Sequence, residues 1–295
     1  MSKKQTWPAD FAALTLIWGA SFLFIAVAGS LLPPVGVAFW RMLLGALALF
    51  VMLKIQGHKL PTNPKAWLHT AVAGLFMSAI PFTLFAFGEL HIASGLAGMI
   101  NAATPVMTVL VILIAFRDQT PTRTQVIGLS IGIFGTLVLL GVWNGFGTND
   151  PLSVIALLGA TVCYGFGSPY IRKFVGPLGL PNTVAVFMQL ITASIMISPF
   201  YLFGPITTGS ANWANLGSIV ALGVVGTGLA YVFYYRIIEQ AGSTIASSVT
   251  ITQPVVAVIL GMLLLAEHIN WYEVLGGLVI IFGALVAQNR IKFIR

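Results

Sequence analysis

Residues 125–140, QVIGLSIGIFGTLVLL, return as residues 273–288, EVLGGLVIIFGALVAQ. Seven of the sixteen positions are identical, among them Gly128 and Gly276, Phe134 and Phe282, and Gly135 and Gly283. The offset is about 148 residues. Residues 93–116 and 242–265 align at nearly the same offset, placing Pro105 on Pro254 and Ser94, Ala97, Val106 and Val109 on Ser243, Ala246, Val255 and Val258. The chain is a duplication. If an odd number of membrane spans separates the copies, the second is inverted relative to the first, as in carriers with alternating access.

Composition places both copies in a bilayer. Of 295 residues, 58% are hydrophobic and 7% charged, against roughly 25% charged in soluble domains. Long apolar stretches recur from end to end, and the ten-residue alternation of a membrane barrel is missing, so the chain reads as an all-α polytopic membrane protein. Cys163 is the single cysteine, which excludes an intrachain disulfide. Lys3 and Lys4 precede an apolar run ending in Ala26-Val27-Ala28, which mimics a cleaved signal. The run is long enough to span, and Trp18-Gly19 has a counterpart in Tyr164-Gly165, so retention as the first span is expected.

Apolar segments fall at about 9–29, 35–53, 66–88, 93–116, 125–142, 152–171, 183–203, 213–235, 243–265 and 271–288. Each is roughly twenty residues, enough for about 30 Å of hydrocarbon. Of the 14 basic residues, 13 fall in loops on one side or at the termini: Lys3, Lys4, Lys54, Lys59, Lys65, Arg117, Arg123, Arg172, Lys173, Arg236, Arg290, Lys292 and Arg295. The positive-inside rule then predicts both termini in the cytoplasm, and the location expected is a plasma membrane, that of a bacterial inner membrane. The net charge of +7 thus reports topology, and no nucleic-acid partner is expected. Ten spans make two repeats of five, residues 1–143 and 151–295, related by inversion. The polar, Gly-rich segment 143–150 joins them on the outside.

The Trp18-Gly19-Ala20-Ser21-Phe22 motif, Arg41 in the second span, the Ser/Ala-rich approach to Pro105 and the Gly-rich fifth span recur as a set in the second half. Together they resemble the EamA family of the drug/metabolite transporter superfamily over essentially the whole chain. The resemblance implies a central cavity lined mostly by spans 1, 3, 4, 6, 8 and 9, with spans 5 and 10 peripheral. Substrate is not inherited with the fold. The halves also differ: Gln189 stands opposite Arg41 and Tyr164 opposite Trp18.

Candidate transport residues follow from what hydrocarbon penalises. Pro105 and Pro254 free the carbonyls of Asn101 and Thr250, each of which must face protein, water or ligand. These prolines are expected at helix kinks that take part in gating. Thr104, Ser248, Thr252 and Gln253 lie beside them. Trp18 and Phe22 are one turn apart, Phe82 and Phe85 correspond to Tyr231 and Tyr234, and tyrosine hydroxyls at Tyr164 and Tyr231 need inward partners. The expected cavity residues are therefore Trp18, Phe22, Phe82, Asn101, Thr104, Tyr164, Tyr231, Ser248 and Thr252. Each also has a simpler reading as core or lipid-facing packing. Arg41 is the one clearly intramembrane charge. It serves either as a snorkelling or helix-end cation or as an anion anchor at the outer mouth.

Asp10, Glu89, Asp118, Asp150, Glu239, Glu267 and Glu273 all fall at or near span ends. A proton-coupled multidrug mechanism generally needs a carboxylate deep in a span, and phosphate-rich substrates such as nucleotide sugars need several cations. Both remain alternatives to the expected function, export of small neutral or zwitterionic metabolites, amino acids first, by an uncoupled facilitator. No cofactor, metal cluster or catalytic constellation is expected, so the chain is not read as an enzyme. Gly128 and Gly132 form a GxxxG suited to close helix packing. A monomer is expected, with a homodimer through span 5 or 10 as the alternative.

Overall fold

The computed structural model describes residues 6–115, 122–141, 143, 150–206, 209–241, 249–288 and 291, with the side chains of all but Tyr235, Ile238 and Glu239. Among the described residues the chain is helical. Six helices are long and apolar enough to cross a membrane: α1 (Trp7–Gly29), α2 (Pro34–Ile55), α3 (Pro64–Gly88), α6 (Pro151–Leu178), α7 (Asn182–Leu202) and α8 (Trp213–Tyr234, continuing to Ala241). A broken helix, α4, joins Ser94–Asn101 to Thr104–Ala115 at 42°. Three shorter apolar helices complete the set: α5 (Arg123–Leu139), α9 (Val249–Leu264) and α10 (Trp271–Ala287). They occupy the ten positions the hydropathy pattern predicts. Residues 242–248, the expected opening of the ninth span, lie outside the described residues.

Local chemistry explains several boundaries. Proline stands in the first turn of α1, α2, α3 and α6, where its missing N–H costs nothing. Asn63 and Asp150 cap α3 and α6 through their side chains, and capping boxes open α5, α8 and α10. Helices α3, α6 and α8 each contain a π-helical stretch, at Leu75–Ala79, Ile171–Val175 and Ala221–Leu229. The stretches in α3 and α8 overlap at repeat-equivalent positions.

Large apolar side chains face outward around the bundle, including Leu16, Val51, Ile114, Phe134, Ile155, Ile195, Leu263 and Leu278. Water would not tolerate so wide an apolar surface, whereas lipid does. Trp143, Phe203, Trp213 and Trp271 are exposed at the end of the bundle opposite the one where α1 begins and α10 ends. They form an aromatic girdle there.

The packing crosses between the repeats. Helix α1 packs on α9 and α8, α6 on α3 and α4, α2 on α7 and α8, and α5 on α10. Glycine makes these approaches possible. A Cβ at Gly135 would lie 2.7 Å from the Ile280 nitrogen, and one at Gly283 2.7 Å from the Gly132 nitrogen. The GxxxG of α5 is therefore filled within the same chain, Gly128 against Gly283 and Ala287 of α10 and Gly132 against Val106 of α4, close packing of the kind small residues permit.

Candidate functional site

A cavity of about 470 Å³ lies between the two repeats. Its inner end is formed by Phe22 and Ile25 of α1, Arg41 of α2, Phe82 and Phe85 of α3, and Tyr164 of α6. Its wall continues along Asn101, Thr104, Pro105 and Thr108 of α4 and Gly226, Thr227, Tyr231 and Tyr234 of α8. It reaches Gln125, Ser168, Thr250 and Gln288 toward the face where α1 begins and α10 ends. Beyond the inner end the bundle is closed by Ala28, Leu31, Leu32, Val37, Ile92 and Leu96, all buried in one apolar cluster. The cavity thus extends toward one membrane face and is sealed from the other.

Aromatic rings set its shape. Trp18 stands edge-on to Tyr231 at 6.4 Å between centroids and tilted against Tyr234 at 5.5 Å. Phe22 meets Phe85 edge-on at 5.8 Å, and Phe85 stacks on Tyr164 at 6.1 Å. Such offset and edge contacts hold rings in fixed orientations. Polar groups are interleaved with them. At the break in α4, Thr104 donates its hydroxyl to Asn101 Oδ1 at 3.2 Å, and Ala102 and Ala103 close a tight turn onto Met99 and Ile100. Pro105 stands in the first turn of the second segment, where its ring and missing N–H prevent a continuous helix.

Arg41 is 9% exposed and borders the cavity. Its Nε donates to Thr227 Oγ1 at 3.2 Å, and its guanidinium lies 3.9 Å from the centre of the Phe82 ring. Thr227 in turn donates to the Leu222 carbonyl, a residue the π-helical stretch of α8 places five positions earlier. The other repeat contains the matching arrangement. Gln189 of α7 donates its amide to Ser78 in the π-helical stretch of α3 at 3.0 Å. Even the backbone approach is repeated: a Cβ at Gly223 would come 3.2 Å from the Arg41 carbonyl, and one at Gly74 would strike the Gln189 carbonyl. π-Helical insertions of this kind cluster at functional sites.

Of the residues singled out from sequence, Trp18, Phe22, Arg41, Phe82, Asn101, Thr104, Pro105, Tyr164 and Tyr231 come together around this cavity. Thr252 lies elsewhere: its hydroxyl is 3.0 Å from that of Thr15 on α1 and donates to the Val249 carbonyl. Pro254 is buried inside α9, and its neighbour Gln253 borders the cavity instead. Ser248 lies outside the described residues. Arg41 sits at the buried inner end, not at an open outer mouth. Sequence reasoning passed over Thr227, Ser168, Gln125 and Gln288. Thr227 could have been found, because it pairs with Ser78 across the repeat. Gln125 and Gln288 belong to helices the family resemblance marks as peripheral, and only their terminal residues reach the cavity.

The carboxylates mostly serve as helix-end partners. Glu267 accepts from the Ser94 and Gly95 N–H groups at 2.6 and 3.0 Å, capping α4 from the other repeat. Asp10 is buried and accepts from Arg236 at 2.7 Å. Glu89, just past the end of α3, is the exception: both its oxygens are buried without a hydrogen-bond partner among the described residues. No Asp or Glu borders the cavity among the described residues.

The EamA-like transporter family matches the chain twice, over residues 8–141 and 151–288. The chain belongs to this family and is a multi-pass membrane transporter. It is 27% identical over 276 residues to the uncharacterized inner membrane transporter YedA of Escherichia coli strain K12, covering 93% of this chain and 88% of that one. It is 26% identical over 281 residues to an uncharacterized transporter of Archaeoglobus fulgidus, covering 94% of this chain and 97% of the relative. A solved crystal structure superimposes with a TM-score of 0.64 over 97% of both chains at 18% identity, a likeness of fold.

Proposed function

We propose that this protein exports small neutral or zwitterionic metabolites, amino acids first, by alternating access across a bacterial inner membrane. The observation that carries this reading is the aromatic, sparsely polar cavity between the repeats, sealed at one end. Its volume falls within the roughly 300–1,000 Å³ of small-molecule sites, and its wall of rings, hydroxyls and amides suits an amphiphilic solute. The inverted relation of the two repeats supports a second state, in which the repeats exchange conformations so that this end closes and the other opens. By the positive-inside rule the face where α1 begins and α10 ends is cytoplasmic, so the cavity loads from the cytoplasm. The absence of a bordering carboxylate among the described residues favours a facilitator over a proton-coupled carrier of cationic drugs.

The test is efflux of a panel of labelled amino acids and other metabolites from proteoliposomes. Asn101→Ala and Tyr164→Ala should each cut flux by about tenfold or more while leaving folded protein, since the first removes the acceptor of the Thr104 hydroxyl and the second the ring stacked on Phe85 at the inner end. Unchanged flux in both variants would remove the cavity assignment. Flux should not depend on an imposed pH gradient; steep dependence at fixed substrate would sink the facilitator reading.

A further inference from the structure

Arg41 and Gln189 do the same structural work in the two repeats. Each crosses from the second helix of its repeat to a hydroxyl on a π-helical stretch of the opposite repeat. Each helix backbone there is approached by an equivalent glycine. A neutral amide suffices for that crossing at Gln189. The positive charge at Arg41 is therefore surplus to the architecture, and burying it is costly. No carboxylate forms an ion pair with it among the described residues. Its compensation is the Phe82 ring and the Thr227 hydroxyl, the latter held by Nε alone. The two terminal nitrogens, which form the bidentate edge of a guanidinium, make no hydrogen bond among the described residues. Tyr164 and Tyr231 border the cavity beside it, and Glu89 lies near enough to act on its charge without forming an ion pair. Gln189, by contrast, does not border the cavity.

We propose that Arg41 is the carboxylate-binding residue of the cavity, so that the transported solutes are small monocarboxylates, zwitterions included, oriented with the carboxylate at the closed inner end. This rests on the transporter reading of the same cavity and narrows its substrate class. The remainder of such a solute lies along Trp18, Phe82 and Tyr231, which accept an apolar side chain. A phosphorylated solute would bring a second negative charge with no second cation to meet it.

The experiment compares leucine with two relatives of the same carbon frame, 4-methylpentanoate, which lacks the amine, and leucinamide, which lacks the carboxylate. Competition against labelled leucine counterflow is measured in proteoliposomes of the full chain. The acid should compete with leucine, and the amide should be at least about tenfold weaker, the value of a lost charge-assisted pair. Arg41→Gln, which installs the residue the other repeat already uses, should bring acid and amide within about twofold. Arg41→Lys and Thr227→Val, which keep the charge, should retain the preference. A preference that survives Arg41→Gln, or one lost in Thr227→Val as fully as in Arg41→Gln, overturns the proposal. If the native protein moves no leucine, the amino-acid reading fails by itself. The same three compounds, with acetate and acetamide, are then scored by the melting temperature of the purified protein. Stabilisation by acids over amides that disappears in Arg41→Gln upholds the carboxylate site, and equal stabilisation by both overturns it.

Discussion

Two buried charges within one small region have opposite solutions. Arg41 faces the cavity with a ring beneath it and a hydroxyl on one nitrogen. Glu89 has neither: both oxygens are enclosed without a hydrogen-bond partner among the described residues. An ionised carboxylate is costly in such a place, which favours the neutral acid. Burial and the neighbouring Glu267 both push its carboxyl well above the usual range, against the opposing pull of Arg41. Glu89→Gln should then leave the melting temperature of the purified protein unchanged or raise it, because the amide is a neutral isostere. A loss of several degrees would show that Glu89 is needed as an anion.

Among elements, the broken α4 has the most to hold in place. Its first segment is only eight residues long, Ser94–Asn101, too short to persist alone. It is held from outside, by Glu267 on its first two N–H groups and by the close approach of Gly95 and Gly98 to α9. Helix α6 begins differently, with its own cap: Asp150 Oδ2 accepts from the Ser153 N–H at 2.8 Å. The Ser153 side chain and N–H hold this carboxyl below the ordinary aspartate range. A depressed folded value means the cap stabilises above the unfolded value of about 3.9 and is lost as pH falls through the lower folded value. The start of α6 should therefore fray in acid in hydrogen-exchange measurements at the amides of residues 152–154. Asp150→Asn, still a competent cap, should remove that pH dependence, and an unchanged acid profile would contradict the assignment.

At the scale of the whole molecule, the close packing joins the repeats more than it builds each one. Helices α1 with α9, α4 with α6, α2 with α7 and α8, and α5 with α10 all pair across the duplication. A half expressed alone would expose glycine-lined helix faces shaped for the other half. Residues 1–143 and 151–295 produced singly should accumulate as degraded or aggregated protein. Co-expression should restore membrane-inserted protein and flux to within about an order of magnitude of the intact chain, the loss reflecting the chain entropy of a severed connection. Stable, monodisperse single halves would show that the cross-repeat contacts are secondary.

Sequence by itself determined the membrane, the ten helices and the duplication. Those follow from hydropathy, length and identity at a fixed offset, all local or periodic properties that survive without knowledge of packing. It also brought most of the cavity residues forward, because buried proline, tyrosine and arginine are conspicuous in hydrocarbon. Only tertiary structure decided which side of each helix those residues occupy. Thr252 turned to Thr15 although it stands two residues before Pro254, and Glu89 was enclosed although it ends a helix. Helix rotation depends on how glycine-bearing faces of the two repeats meet, and that is a property of pairs of segments nearly 150 residues apart. The same non-local pairing showed that Arg41 and Gln189 share one scaffold role. That comparison leaves the arginine's charge over for the solute.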